Sequence, residues 1–192
     1  MTPEEIEARE RILQAAIAII DEEDEPEQIT IRQIALRAKV GVGLINYHFQ
    51  SKENLLQQAV KAVTGALDDQ WQQMFDPAIS DPVERLKAML RTNASVGVSN
   101  PKYVRILVLH ELLYNEISVP LVLLPVLREI FGQRRSEQDL RVMAYALVTT
   151  MQVIAIRERA FRRYAGVDIF NPVQRDTWVN QMVDQILFGG KA

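Results

Sequence analysis

The chain has 192 residues, 48% of them hydrophobic, with a formal net charge of −3 and no cysteine. That size and apolar share suffice for one medium core or two small ones, and the missing thiols exclude disulfides, thiolate metal sites and cysteine nucleophiles. A charged start, MTPEEIEARER, and the shortness of the apolar run VPLVLLPVL argue against a secretory leader or a membrane span, so a soluble, cytoplasmic protein is expected.

In chain order, Thr2-Pro3-Glu4-Glu5 has the chemistry to cap a helix over 3–21, whose stripe is Leu13, Ala16, Ile17 and Ile20. The acidic run Asp21 to Glu27 reads as a solvated loop. Thr30 with Gln33 opens a helix over 31–38, with Ile31, Ile34, Ala35 and Ala38 on one side, and a short helix follows over 43–49. Ser51 with Glu53, Asp81-Pro82 with Glu84, Ser136 with Asp139, and Asn171-Pro172 with Gln174 start helices over 52–76, 82–99, 137–165 and 172–188; two more are expected over 102–117 and 120–134. No period-two pattern competes, so the fold class is all-α, with about nine helices. The short early helices form a unit to about residue 58, and 59–192 make a larger helical domain.

The short helix poses the main question, because seven residues are too few to be stable alone. Val40, Ile45 and Phe49 are spaced to face a core, which leaves Gly43, Asn46 and Tyr47 at i, i+3, i+4 on the opposite side, with Val42 and Leu44 beside them. Two helices joined by a tight Lys39-Val40-Gly41 turn make a helix-turn-helix by layout. The side chains suit the major groove: Asn46 for an adenine edge, Val42 or Leu44 for a thymine methyl, Arg32 for guanine. Thr30, Tyr47, His48 and Lys52 are candidate phosphate contacts. Residues 28–63 hold five basic residues against one acid, a local balance of +4 in an acidic chain. Spacing alone serves a plain surface helix equally well.

The stretch TIRQIALRAKVGVGLINYHFQSKENLLQQAV resembles the DNA-binding signature of the TetR (tetracycline-repressor) family of transcriptional regulators, through Thr30, Ile34, Ala35, Ala38, Val40, Gly43, His48, Phe49, Lys52 and Leu55. Lys39 stands where the family usually has Gly, Gly41 where Ser is usual, and Asn46 where Tyr is commonest. The resemblance covers roughly residues 5–60. It implies an N-terminal three-helix DNA-binding domain, a larger C-terminal domain that binds a small-molecule effector, and a homodimer through the eighth and ninth helices, 137–165 and 172–188.

Beyond the motif, KYVRILVLHELLYNEI is apolar around most of its circumference and reads as a central buried helix. Trp71, Met74, Phe75, Met89, Tyr103, His110 and Tyr114 are candidates to line an effector pocket, although ordinary core packing explains each of them as well. His110-Glu111-Leu112-Leu113-Tyr114 fails the H-E-x-x-H zinc pattern at Tyr114, and with two histidines in the chain no metal site or metal cofactor is expected. Arg157, Arg159, Arg162 and Arg163 read as a solvated group near a helix C-terminus. The expectation is therefore a repressor, not an enzyme, that leaves a palindromic operator when a small molecule binds; a helical protein-interaction module is the alternative and a helical enzyme the weakest one.

Overall fold

Five helices begin where a short polar side chain accepts from free backbone N–H groups. In this computed structural model, which describes residues 3–64, 78–114 and 117–189, Thr30 and Gln33 close a full capping box at the helix Ile31–Ala38, and Ser136 and Asp139 close another at Glu137–Ile156. Ser51 Oγ accepts from Asn54 N at 3.1 Å at the start of Lys52–Thr64, Asp81 Oδ1 from Val83 N at 2.8 Å at Pro82–Ser99, and Asn171 Oδ1 from Val173 N and Gln174 N at Pro172–Phe188. Each cap satisfies donors that the helix itself leaves open. Thr2 lies outside the described residues.

The helices are α1 Pro3–Glu22, α2 Ile31–Ala38, α3 Val42–Phe49, α4 Lys52–Thr64, α5 Pro82–Ser99, α6 Pro101–Tyr114, α7 Leu124–Phe131, α8 Glu137–Ile156, α9 Glu158–Ala165 and α10 Pro172–Phe188. No strand occurs among the described residues. Two departures from the expected helices have local causes. The helix expected over 120–134 opens as a 3-10 turn, Val119–Leu123, because Pro125 supplies no backbone donor and restricts the residue before it; the α-helix proper then ends before Gly132, at φ +53°. The helix expected over 137–165 breaks at Arg157, φ −125°, ψ 30°. There the buried stripe Leu140, Ala144, Leu147, Val148 and Ile154 ends, and polar α9, which buries no residue, leans instead through Phe161 on Trp178, ring centroids 5.5 Å apart.

The chain forms two units. In the first, α1 to α4 pack Ile12, Ala16, Ile20, Ile34, Ile45, Phe49 and Leu55, all nearly inaccessible, and α6 adds Ile106 to the same core. The expected boundary at residue 58 therefore omits a helix from much later in the sequence. That helix is less buried than its composition implies: only Ile106 and His110 are buried, while Leu113 is 66% and Tyr114 60% exposed. One side rests on α1 and α4; Val104, Leu107, Val108 and Leu109 are half-buried, and Leu112, Leu113 and Tyr114 are exposed.

In the second unit, α5, α7, α8 and α10 enclose Leu86, Met89, Leu90, Leu127, Leu147, Val179 and Val183. Lys87 Nζ reaches Asp184 Oδ1 at 2.9 Å and Arg91 donates to Asn180 at 2.6 Å, tying α5 to α10. α8 is long and apolar enough to cross a bilayer by length and composition, but Leu140, Ala144, Leu147 and Val148 are buried in this core.

Candidate nucleic-acid interface

α2 and α3 meet at a turn of three residues. Lys39 takes the left-handed conformation, φ 56°, ψ 47°, and donates its N–H to the carbonyls of Ala35 and Leu36, closing α2. Gly41 then enters α3 in extended geometry, φ −75°, ψ 147°, without a side chain to cap it. α3 is held from beneath by Ile45 and Phe49, 0% and 1% exposed. Burying each stabilises the helix by roughly 1.5–3 kcal/mol, which is how eight residues stay helical.

The opposite face is open. Gly43, Asn46 and Tyr47 are exposed, Tyr47 at 69%, and Val42 lies at the exposed edge. A Cβ at Gly43 would meet nothing within 4 Å. No neighbour among the described residues demands glycine there, so the bare backbone is available for close approach from outside. Arg32 is exposed on α2 with no partner among the described residues. Lys52, half-buried at the start of α4, lies 3.5 Å from the Glu27 carbonyl and 3.9 Å from Glu53 Oε1. Arg37, by contrast, forms a two-pronged pair with Glu22: the hydrogen bonds hold the Glu22 carboxyl below its ordinary range and the guanidinium above its own.

Three of the expected contact residues are placed differently from the open face. Thr30 is exposed, but its hydroxyl donates to Gln33 Oε1 at 2.7 Å within the capping box. His48 is half-buried between Tyr47 and Phe49, ring centroids 5.1 and 6.1 Å away, with Nε2 shielded from solvent and unpartnered. Leu44 is half-buried against the core of the first unit.

Of the candidate pocket residues, Trp71, Met74 and Phe75 lie outside the described residues. Met89 is fully buried in the core of the second unit. Tyr103, His110 and Tyr114 lie on α6 in the first unit, and the Tyr103 hydroxyl donates to Asp21 Oδ1 at 2.5 Å. The acidic run between α1 and α2 is thus no idle loop: Lys102 Nζ donates to the Asp21 carbonyl at 3.0 Å and pairs with Asp24 at 3.4 Å, and Arg105 pairs with Glu27. Sequence reading missed this clamp, and it missed Asn54, whose Oδ1 lies 2.8 Å from His110 Nε2. The only available signal was opposite charge, in two runs about 80 residues apart.

A family model described as bacterial regulatory proteins, tetR family, matches residues 12–59, the span that contains α2, the turn and α3. The chain has the fold and the DNA-binding domain of a TetR-family transcriptional regulator. Thermus thermophilus FadR, a TetR-family transcriptional repressor solved in complex with lauroyl-CoA, is similar at TM-score 0.64 and 18% identity, over 96% of this chain and 97% of that one. A TetR transcriptional regulator from Rhodococcus sp. RHA1 is similar at TM-score 0.59 and 18% identity, over 97% and 100%. The fatty acid degradation regulator FadR from Bacillus halodurans gives TM-score 0.56 and 18% identity, over 98% and 97%. No curated protein sequence matches the chain. The left-handed C-cap Lys39 falls inside the matched span.

Proposed function

We propose that the protein is a cytoplasmic homodimeric repressor that binds a pseudo-palindromic operator through two copies of α3 and releases it when a small molecule binds. The observation that carries this reading is the outward face of α3, where Gly43, Asn46 and Tyr47 stand exposed over the anchors Ile45 and Phe49. Asn46 would read a base edge, Arg32 a neighbouring one, and Lys52 and the Tyr47 hydroxyl would hold phosphates. Thr30 and His48 would contribute through the capping box and the ring stack that set the ends of α2 and α3.

The dimer reading is supported by α8. Val142, Tyr145 and Val153, 62%, 45% and 39% exposed, fall on the side of α8 away from its buried stripe, and Val173 at the start of α10 is 74% exposed. Such a face suits a second copy across a two-fold axis. An effector that favours one spacing of the two α3 helices over the other would change operator affinity only through that difference in binding. A coupling of ~1–3 kcal/mol is enough to switch a promoter.

The test is retention of the DNA upstream of the protein's own coding region across a series of salt concentrations. Affinity should fall steeply as salt rises, because basic side chains from two subunits displace counterions. Absence of retention of any promoter fragment at low salt would overturn the reading.

A further inference from the structure

Besides the face of α3, the first unit holds a cleft of about 190 Å³ between the Pro26–Gln28 turn, the first turns of α4 and the second half of α6. Pro26, Leu56, Ile106, Leu109 and Leu113 make most of its wall apolar. A closed apolar cavity of about 150 Å³ is known to accept benzene, so the space suits one substituted ring or a short branched chain.

The wall carries one unusual polar group. His110 is 6% exposed, its Nε2 is engaged with Asn54 Oδ1 at 2.8 Å, and its Nδ1 is buried without a partner among the described residues. With the Asn54 oxygen as acceptor, Nε2 carries the proton and Nδ1 presents a lone pair. Burial, with the Lys61 ammonium adding to it, lowers the His110 pKa and keeps the ring neutral at ordinary pH. An acceptor buried without a partner is costly, and an arriving donor would recover part of that cost. Tyr114, 60% exposed, holds its ring 5.4 Å from the imidazole and lines the same cleft.

We propose that this cleft is a small-molecule site for a compact apolar ligand carrying one hydroxyl or N–H, which donates to His110 Nδ1 and displaces the Tyr114 ring. The lining also includes Lys52, so a bound ligand meets a side chain assigned above to a DNA phosphate. That link, unlike the site itself, rests on the operator reading. The ligand need not reach the second unit to weaken operator binding.

Phenol and toluene are the probes, since they share a ring and differ in the donor. In NMR titrations of the full chain, phenol should shift the His110 imidazole resonances and bind about tenfold more tightly than toluene, the worth of one added hydrogen bond. His110→Phe should erase that preference. Leu109→Trp, which fills the cleft and leaves the His110–Asn54 pair in place, should block both compounds. Equal binding of phenol and toluene, or a preference that survives both substitutions, would overturn the site. Phenol bound at His110 with operator retention unchanged upholds the site and overturns its link to release. Failure of DNA retention without any phenol sinks the operator reading alone.

Discussion

The first unit turns polar groups outward on α3, whereas the second turns apolar ones outward on α8. Both helices bury one side on a nearly inaccessible core, α3 through Ile45 and Phe49 and α8 through Ala144 and Leu147. What differs is the side left over. Asn46 and Tyr47 keep their hydrogen-bonding groups available beside a glycine that no contact among the described residues explains. Val142 and Tyr145 offer area with little polarity. Hydrogen-bonding groups are matched by base edges, and apolar area by another apolar surface, so the two exposed faces call for different partners.

The largest effect is expected on the apolar face of α8. Val142→Asp puts a charge on the apolar face while disturbing no core contact. Sedimentation should show monomer, and operator affinity should fall about 100-fold or more, because one half-site then binds without the other. A dimer that persists would place the second copy elsewhere.

Gly43→Ala probes α3 in the same way. The added methyl group meets nothing within 4 Å, so thermal stability should rise, by at most about 1 kcal/mol. Operator binding should weaken about tenfold, as the DNA can no longer approach the backbone as closely. Unchanged binding with raised stability would mean that DNA does not come close at this position.

Smaller effects are expected at the turn. Lys39→Gly removes the cost of a left-handed non-glycine residue, about 1 kcal/mol, and Gly41→Ser adds a missing cap worth a few tenths. Denaturation midpoints should rise for both. The smallest effect concerns pH. Since burial lowers the His110 pKa in the folded chain, the unfolded chain takes up the proton first as pH falls. The stability linked to this group is complete above about 6.5 and declines below it. Denaturation midpoints between pH 7 and 5 should therefore fall less in His110→Gln than in the unmodified chain. The acids held low, Glu22, Glu137 and Asp139, add their own losses only at lower pH.

Local chemistry made much of this legible. Caps at Thr30, Ser51, Asp81, Ser136 and Asn171 mark helix starts through contacts two or three residues away, and the alternation of Ile45 and Phe49 with Asn46 and Tyr47 fixes which way α3 faces. What lay hidden depends on distant partners. The packing of α6 on the first unit rests on Ile106 and on pairs such as Tyr103 with Asp21, 82 residues apart. The break at Arg157 carries no glycine or proline; it follows from where the buried stripe stops and Phe161 finds Trp178. Asn54 gains its meaning only from His110 across the fold.

Operator selection with the purified protein, followed by affinity measurements on every single-base variant of the selected site, tests the role of α3 most directly. Asn46→Ala should lose about 1–3 kcal/mol at one base position in each half-site and lose discrimination there, whereas Lys52→Ala should weaken all variants alike and lower the salt dependence. If both substitutions weaken every sequence equally, Asn46 reads no base and the outward face of α3 is not the reading surface.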